Sequence, residues 1–228
     1  MSRARAVIVE DDLRIPADAF NFASFRRWAA SAAFPESGRI DFLAGAIEVD
    51  MSAENLLTHG ILKSEIVGVF RDLVARRGLG DVFTDSSRVA SRFAQLSVEP
   101  DVVVVLWESV RAGRVKYRTA EIEGPPDLIV EIVSDSSVNK DTVRLPPLYA
   151  KAGVSELWLV DARGDELRFR IHALEAGSYK PVRTGAGGWL RSPRLETSFR
   201  LTRLPTPIGT WRYVLESKPS AAAAHEGG

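Results

Sequence analysis

The chain has 228 residues, with 45% apolar side chains, 30 basic and 30 acidic side chains and no cysteine. That composition fits one ordinary globular domain, in which ~70% of the unfolded chain's surface leaves water on folding. The missing cysteines exclude a disulfide framework, a thiolate zinc site and a cysteine nucleophile, and suit a reducing, cytoplasmic setting. Zero net charge argues against a uniformly basic nucleic-acid coat, although cations can still cluster locally.

Near the N-terminus only Ala6–Val9 is apolar before Glu10, and nowhere do about 20 apolar residues run together, so neither a secretory signal nor a membrane span is expected. Residues 1–19 read as an arm, 20–215 as a single domain, and 216–228 (ESKPSAAAAHEGG) as a disordered tail. Phe22, Phe25 and Trp28 recur at helical spacing and predict a short helix capping a core. Residues 39–51 (RIDFLAGAIEVDM) predict a hairpin about a Leu-Ala-Gly turn, with Ile40, Phe42, Ile47, Val49 and Met51 on its buried face.

A helix is expected from about Leu56 to Arg77, capped by Ser52 or Asn55. Its apolar side carries Leu57, Ile61, Leu62, Ile66, Val69, Phe70 and Leu73. Strands follow at 82–84, 87–93, 100–107 and 127–133; VVVVL and DLIVEIV are apolar enough for central strands covered on both faces. Pro146 and Pro147 suit only a first helical turn, which predicts a helix over 146–152 and a connecting turn over 139–145. A buried strand at 157–161, an outer hairpin over 166–184 and a short strand near 198–201 complete one mixed α/β (α+β) domain around a central sheet flanked by helices.

Two acids interrupt the apolar strands. Asp101 follows Pro100 at the head of VVVVL, and Glu131 lies inside DLIVEIV. A carboxylate buried in such a strand costs several kcal/mol unless a cation, a metal or donors meet it. If the strands are neighbours, the two acids converge at one sheet edge, and two carboxylates with a few waters are what Mg²⁺ requires. The blander alternative is that Asp101 caps a turn and Glu131 pairs with an arginine.

Pro100-Asp101, the run GPPDLIVEIVSDSS at 124–137, Asp141, LYAKAGV at 148–154 and ELWLVD at 156–161 resemble the Uma-two family of restriction-endonuclease-like proteins, as does GAIEVDMS…His59 at 45–59. The resemblance covers about residues 20–205. It implies the fold of the nuclease superfamily named for a Pro-Asp…(Asp/Glu)-x-Lys motif, and metal-dependent phosphodiester hydrolysis. Asp101 then matches the motif's Asp and Glu131 its second acid, together holding Mg²⁺ or Mn²⁺. The lysine position is Val133, and the displaced position used by many relatives is Leu145. Lys140 is preferred as the substitute over Arg144 and Lys151, and His59 is implied as a supporting catalytic residue. Glu65 can add an outer contact, though a solvated role comes first for it.

DNA is the implied partner, with no membrane and with a homodimer open to it. Arg111, Arg114, Lys116 and Arg118, in the connection between the acid-bearing strands, can follow DNA phosphate; Arg183, Arg191, Arg194, Arg200 and Arg203 form a second basic run. Either run also reads as solvated surface. No helix-turn-helix or zinc finger suggests sequence-specific readout. The alternative to an endonuclease is a binding protein that kept the nuclease fold without its activity.

Overall fold

A computed structural model describes residues 6–9, 13–35 and 38–220. In chain order, β1 (Ala6–Val9) and β2 (Leu13–Pro16) pair as an antiparallel ribbon and lead into α1 (Phe22–Ala29). The Asn21 side chain caps α1 by accepting from Ser24 N–H at 3.0 Å. Phe22, Phe25 and Trp28 are buried as their spacing predicts, and Leu13 and Ile15 of the expected arm join the same apolar cluster. β3 (Arg39–Leu43) and β4 (Ala46–Asp50) form the expected hairpin, with Ala44 and Gly45 both at positive φ, 49° and 96°, as a tight two-residue turn demands. Met51 is exposed, because the strand ends before it.

α2 (Ile61–Phe70) is extended by wider turns at Leu56–Gly60 and Arg71–Ala75. Asn55 caps it, accepting from Leu57 and Thr58 N–H. Leu62, Ile66, Phe70 and Val74 face the core. Leu57 and Ile61, expected on that face, are exposed, since the wide first turn rotates them outward.

Then come β5 (Gly80–Thr84), β6 (Val89–Ser91), β7 (Leu96–Val98), β8 (Val102–Leu106), α3 (Trp107–Arg111), β9 (Lys116–Tyr117), β10 (Ile122–Glu123) and β11 (Leu128–Ile132). α4 (Leu145–Ala152) continues an earlier helical turn, Lys140–Arg144, so the segment expected as a connecting turn is helical. Leu145 N–H bonds back to Lys140 C=O in a wide turn directly ahead of Pro146 and Pro147. That widening lets a helix absorb residues with no N–H. β12 (Glu156–Asp161), β13 (Arg168–Glu175), β14 (Ser178–Pro181), β15 (Leu190–Ser192), β16 (Thr197–Pro205) and β17 (Trp211–Pro219) complete the chain. β17 runs past position 215, and Ser220 is buried, donating to Glu196 C=O. The expected tail therefore does not begin at 216; residues 221–228 lie outside the described residues.

The central sheet has the order β14-β13-β12-β11-β8-β5. β11 runs parallel to β12 and antiparallel to β8, so the sheet is mixed, as expected. One face carries Val102, Val104, Val130, Trp158 and Val160 against α2 and the β15-β16-β17 sheet. The other carries Val103, Ile129 and Leu157 against α4 and the second six-stranded sheet, β4-β3-β7-β6-β10-β9. No helix among the described residues is long and apolar enough to cross a membrane.

Phe70 joins α2 to β12 and β16, its ring 5.0 Å from Trp158 and 6.2 Å from Phe199. Phe70→Ala is expected to cost about 3–5 kcal/mol in urea unfolding, because three elements border the cavity it leaves.

Candidate active site

β8 and β11 pair with Val102 opposite Val130. One step further along both strands, Asp101 stands opposite Glu131. Residues opposite one another on antiparallel strands share a face, with Cβ atoms about 5 Å apart. The two acids therefore lie side by side on the α4 face, both buried.

Asp101 is held from three directions. Its Oδ2 accepts from Ile132 N–H at 2.7 Å and lies 3.2 Å from His59 Nε2. Its Oδ1 accepts from Arg39 Nη2 at 3.0 Å. Burial pushes its pKa up, but the His59 hydrogen bond, the Arg39 charge and the Ile132 N–H outweigh it and bring it down to about 2. His59 stands at the start of α2, with Nε2 toward Asp101 and Nδ1 toward Glu54 Oε1. Burial disfavours its charge, yet the two carboxylates prevail and its pKa rises.

Glu131 is the opposite case. It accepts a hydrogen bond from Tyr149 OH of α4. Burial, then the charges of Asp141 and Asp101, raise its pKa well above the usual carboxylate range. Asp141 is buried too; Ser137 Oγ donates to its Oδ2, while Oδ1 has no hydrogen-bond partner. Burial lifts the Asp141 pKa to about 6.

Lys140 reaches the site's edge and donates to Asp41 Oδ2 at 2.8 Å. Burial opposes its charge, but Asp41 and then Glu131 hold it protonated. Arg144 pairs instead with Glu48 on β4, and Lys151 lies over the Phe93 ring, so neither of these joins the acids. Glu65 accepts from Leu215 N–H at 2.9 Å, which makes it a clasp between α2 and β17.

Among the site residues not singled out in the sequence are Arg39, Asp41, Lys63 and Tyr149. Lys63 is buried one helical turn after His59 and bonds Glu54 at 3.1 Å and Asp85 at 2.6 Å, with Asp101 Oδ1 3.9 Å away. The available signal was its place beside Leu62 on an otherwise apolar helix face. Arg39 and Asp41 alternate with Ile40 and Phe42 as any strand's polar residues do.

A cavity of about 300 Å³ opens beside Arg39, Asp50, Glu54, His59 and Ser134, and another of about 280 Å³ beside Arg39, Asp41, Glu48, Asp50 and Lys140. A larger one, about 450 Å³, lies by Leu106 at the other end of β8, where Arg194 is already paired with Asp127 and Glu108. Its size does not make it the reaction site, because no perturbed carboxyl pair faces it.

The four expected DNA-contacting cations also follow the far end of β8, about 17 Å from Asp101 by strand rise. They are not brought to the acids. Arg114 donates to Ser109 Oγ at 2.6 Å and Arg118 to Glu123 at 2.9 Å, while Arg111 and Lys116 have no ion pair among the described residues.

Among the described residues no three His, Cys, Asp or Glu side chains meet in a ready-made metal cage. Mg²⁺ does not need one, since one or two carboxylates and water suffice. The partnerless Asp141 Oδ1 and the raised Glu131 and Asp141 describe a cluster short of positive charge. Asp101 and Glu131, both oxygen donors on adjacent strands, are the residue types that suit a hard divalent cation.

A sequence model of the Uma2 family, described as "putative restriction endonuclease", matches residues 22–204. The chain belongs to the Uma2 family. Its fold is similar to that of a crystal structure from Anabaena variabilis described as a putative nuclease belonging to DUF820. That likeness has a TM-score of 0.58 at 19% identity and covers 77% of this chain and 90% of that one. No curated protein matches.

The perturbed groups of this Uma2 site set its pH response. Glu131 and Asp141 have raised folded-state values, so they weaken the fold as pH climbs above their unfolded values near 4, while the raised His59 adds stability that is lost as pH rises. The lowered Asp101 acts oppositely, and its stabilisation disappears as pH falls from about 4 towards 2. Thermal melts in chelator are expected to show higher stability near pH ~5.5 than near pH ~7.5, then a fall below pH ~4. Asp141→Asn is expected to flatten the change around pH ~6; an unchanged profile in that variant counts against the assignment.

Proposed function

We propose that this Uma2 protein is a Mg²⁺- or Mn²⁺-dependent DNA endonuclease. One observation carries the reading: Asp101 and Glu131 face each other across two central strands, at the end where Arg39 and His59 border open cavities. The proposed ligands are Asp101 and Glu131, with Asp141 close enough to lower the site's charge further. A divalent cation there supplies a water of lowered pKa and polarises the scissile phosphate. Ile132 N–H and His59 hold Asp101 in its ionised form and fixed orientation. Tyr149 orients Glu131. Lys140 acts as a positioning residue, fixing Asp41 on the neighbouring hairpin. Lys116 and Arg111 are the cations of the far stretch available to DNA phosphate.

A second reading, a nuclease fold that binds without cleaving, draws on Val133 and Leu145. Both are buried and apolar at positions where a lysine would be expected. Calorimetry separates the two: a folded protein that binds neither Mg²⁺ nor Mn²⁺, with or without DNA, supports the binding protein.

The test of the nuclease is plasmid cleavage by wild type, Asp101→Ala and Glu131→Ala. Wild type is expected to nick or linearise plasmid only with Mg²⁺ or Mn²⁺, and each variant to lose about 100-fold or more. Equal cleavage by all three sinks the proposal.

A further inference from the structure

Removal of the motif lysine leaves a question of charge. Hydrolysis of a phosphodiester joins a water oxygen to phosphorus while the bond to the leaving sugar oxygen breaks. One proton of the water ends on the leaving alcohol and the other is released from the new phosphate. Negative charge builds on the non-bridging oxygens in between, and some cation beyond the metal must meet it.

Four cationic side chains approach the acids, and three of them are committed. His59 stands between Glu54 and Asp101. Lys63 is enclosed by Glu54 and Asp85, its side chain 6% exposed. Lys140 is bound to Asp41, its side chain 12% exposed. Arg39 differs in three respects. It borders both cavities at this end of the sheet. Its side chain is 26% exposed. Only Nη2 of its guanidinium takes part in a side-chain hydrogen bond among the described residues, to Asp101 Oδ1. A guanidinium has five N–H donors, arranged to grip two phosphate oxygens at once.

We propose that Arg39 is the substrate-binding cation of this site. In the metal-free protein it is the counter-ion of Asp101; with metal and DNA present, its remaining donors take the non-bridging oxygens of the scissile phosphate. The inference rests on the nuclease reading and adds the group that fills the role left open at Val133 and Leu145. Arg39 neither gives nor takes a proton in the step. Its position at the first residue of β3, paired with Asp50 of β4, fixes the base of the side chain while the tip stays free to shift.

The test uses the full chain as wild type, Arg39→Ala, Arg39→Lys and, as a control away from the acids, Lys151→Ala. Two measurements are made: Mn²⁺ affinity by calorimetry without DNA, and single-turnover cleavage of a short duplex at saturating Mn²⁺. Arg39→Ala is expected to bind Mn²⁺ about tenfold more tightly, because a competing positive charge has gone. It is also expected to cleave about 100-fold or more slowly. Arg39→Lys restores the charge without the fork, so its Mn²⁺ affinity returns towards wild type and its rate recovers only in part. This variant also keeps the test valid if Arg39→Ala does not fold. Weaker or unchanged Mn²⁺ binding in Arg39→Ala overturns the counter-ion role, and cleavage within about threefold of wild type overturns the phosphate role. Failure of the nuclease reading looks different: wild type and Lys151→Ala then cleave nothing, with or without bound Mn²⁺, and the role of Arg39 on DNA falls with it.

Discussion

Four carboxylates, Asp41, Asp101, Glu131 and Asp141, are buried at one end of the central sheet, and the surrounding structure is arranged to hold them there. Isolated buried carboxylates are costly enough that they normally protonate or acquire partners. Here the solution is uneven. Asp101 receives a main-chain N–H, an imidazole and a guanidinium, and stays ionised. Asp41 receives Lys140 and the Glu99 N–H. Glu131 has a tyrosine hydroxyl and Asp141 a serine hydroxyl, neither of which brings a charge. The imbalance is one of charge: two acids are met by cationic partners and main-chain N–H groups, and two by a single neutral hydroxyl each.

The donors come from far apart in the chain. Arg39 lies 62 residues before Asp101, and Asp41 99 residues before Lys140. The β3–β4 hairpin, the start of α2, the head of β8, the end of β11 and the turn before α4 must all dock before the acids are compensated. Apolar packing holds the two helices involved. α2 is fixed by Leu62, Ile66 and Phe70 against one sheet face, and α4 by Leu145 and Tyr149 against the other. The burial of Leu145 thus has a structural use even though it removes a candidate lysine: it anchors the helix that presents Tyr149 to Glu131.

Strand periodicity made the acid pair legible. A charge inside LIVEI and another heading VVVVL are conspicuous against apolar neighbours, and alternation put them on one face. The cations were not legible by the same means. Arg39 and Asp41 occupy polar positions of an alternating hairpin, where a solvent-facing residue and one turned into the second sheet's interface look identical. Lys63 was hidden in a similar way, since its charge is met by Asp85, in the bend just after β5. The turn before α4 was misread because Pro146 and Pro147 mark a helix start in ordinary geometry, and only the wide turn from Lys140 lets the helix begin earlier. β17 was missed because Glu216 and Lys218 look like tail, whereas they alternate with the buried Leu215 and a residue paired to Phe199.

The zero net charge takes on a different meaning once the pairing is known. Many cations of the two basic runs are already used within the fold. Arg114 and Arg194 approach Asp127, Arg118 bonds Glu123, and Arg200 bonds Glu216 while lying over Trp189. A cation paired with a protein carboxylate must give up that partner to neutralise a phosphate and displace the DNA's counter-ions, so it adds little to non-specific DNA affinity. For the proposed DNA substrate, attraction then has to come from few unpaired cations and from the proposed site itself. On the proposed nuclease reading a metal would have two electrostatic roles there: it would complete the acid cluster, and it would turn a strongly acidic end of the sheet into a place a phosphate can enter. The same reading makes DNA binding and metal binding coupled, each favouring the other, with the buried carboxylates as the physical link between them.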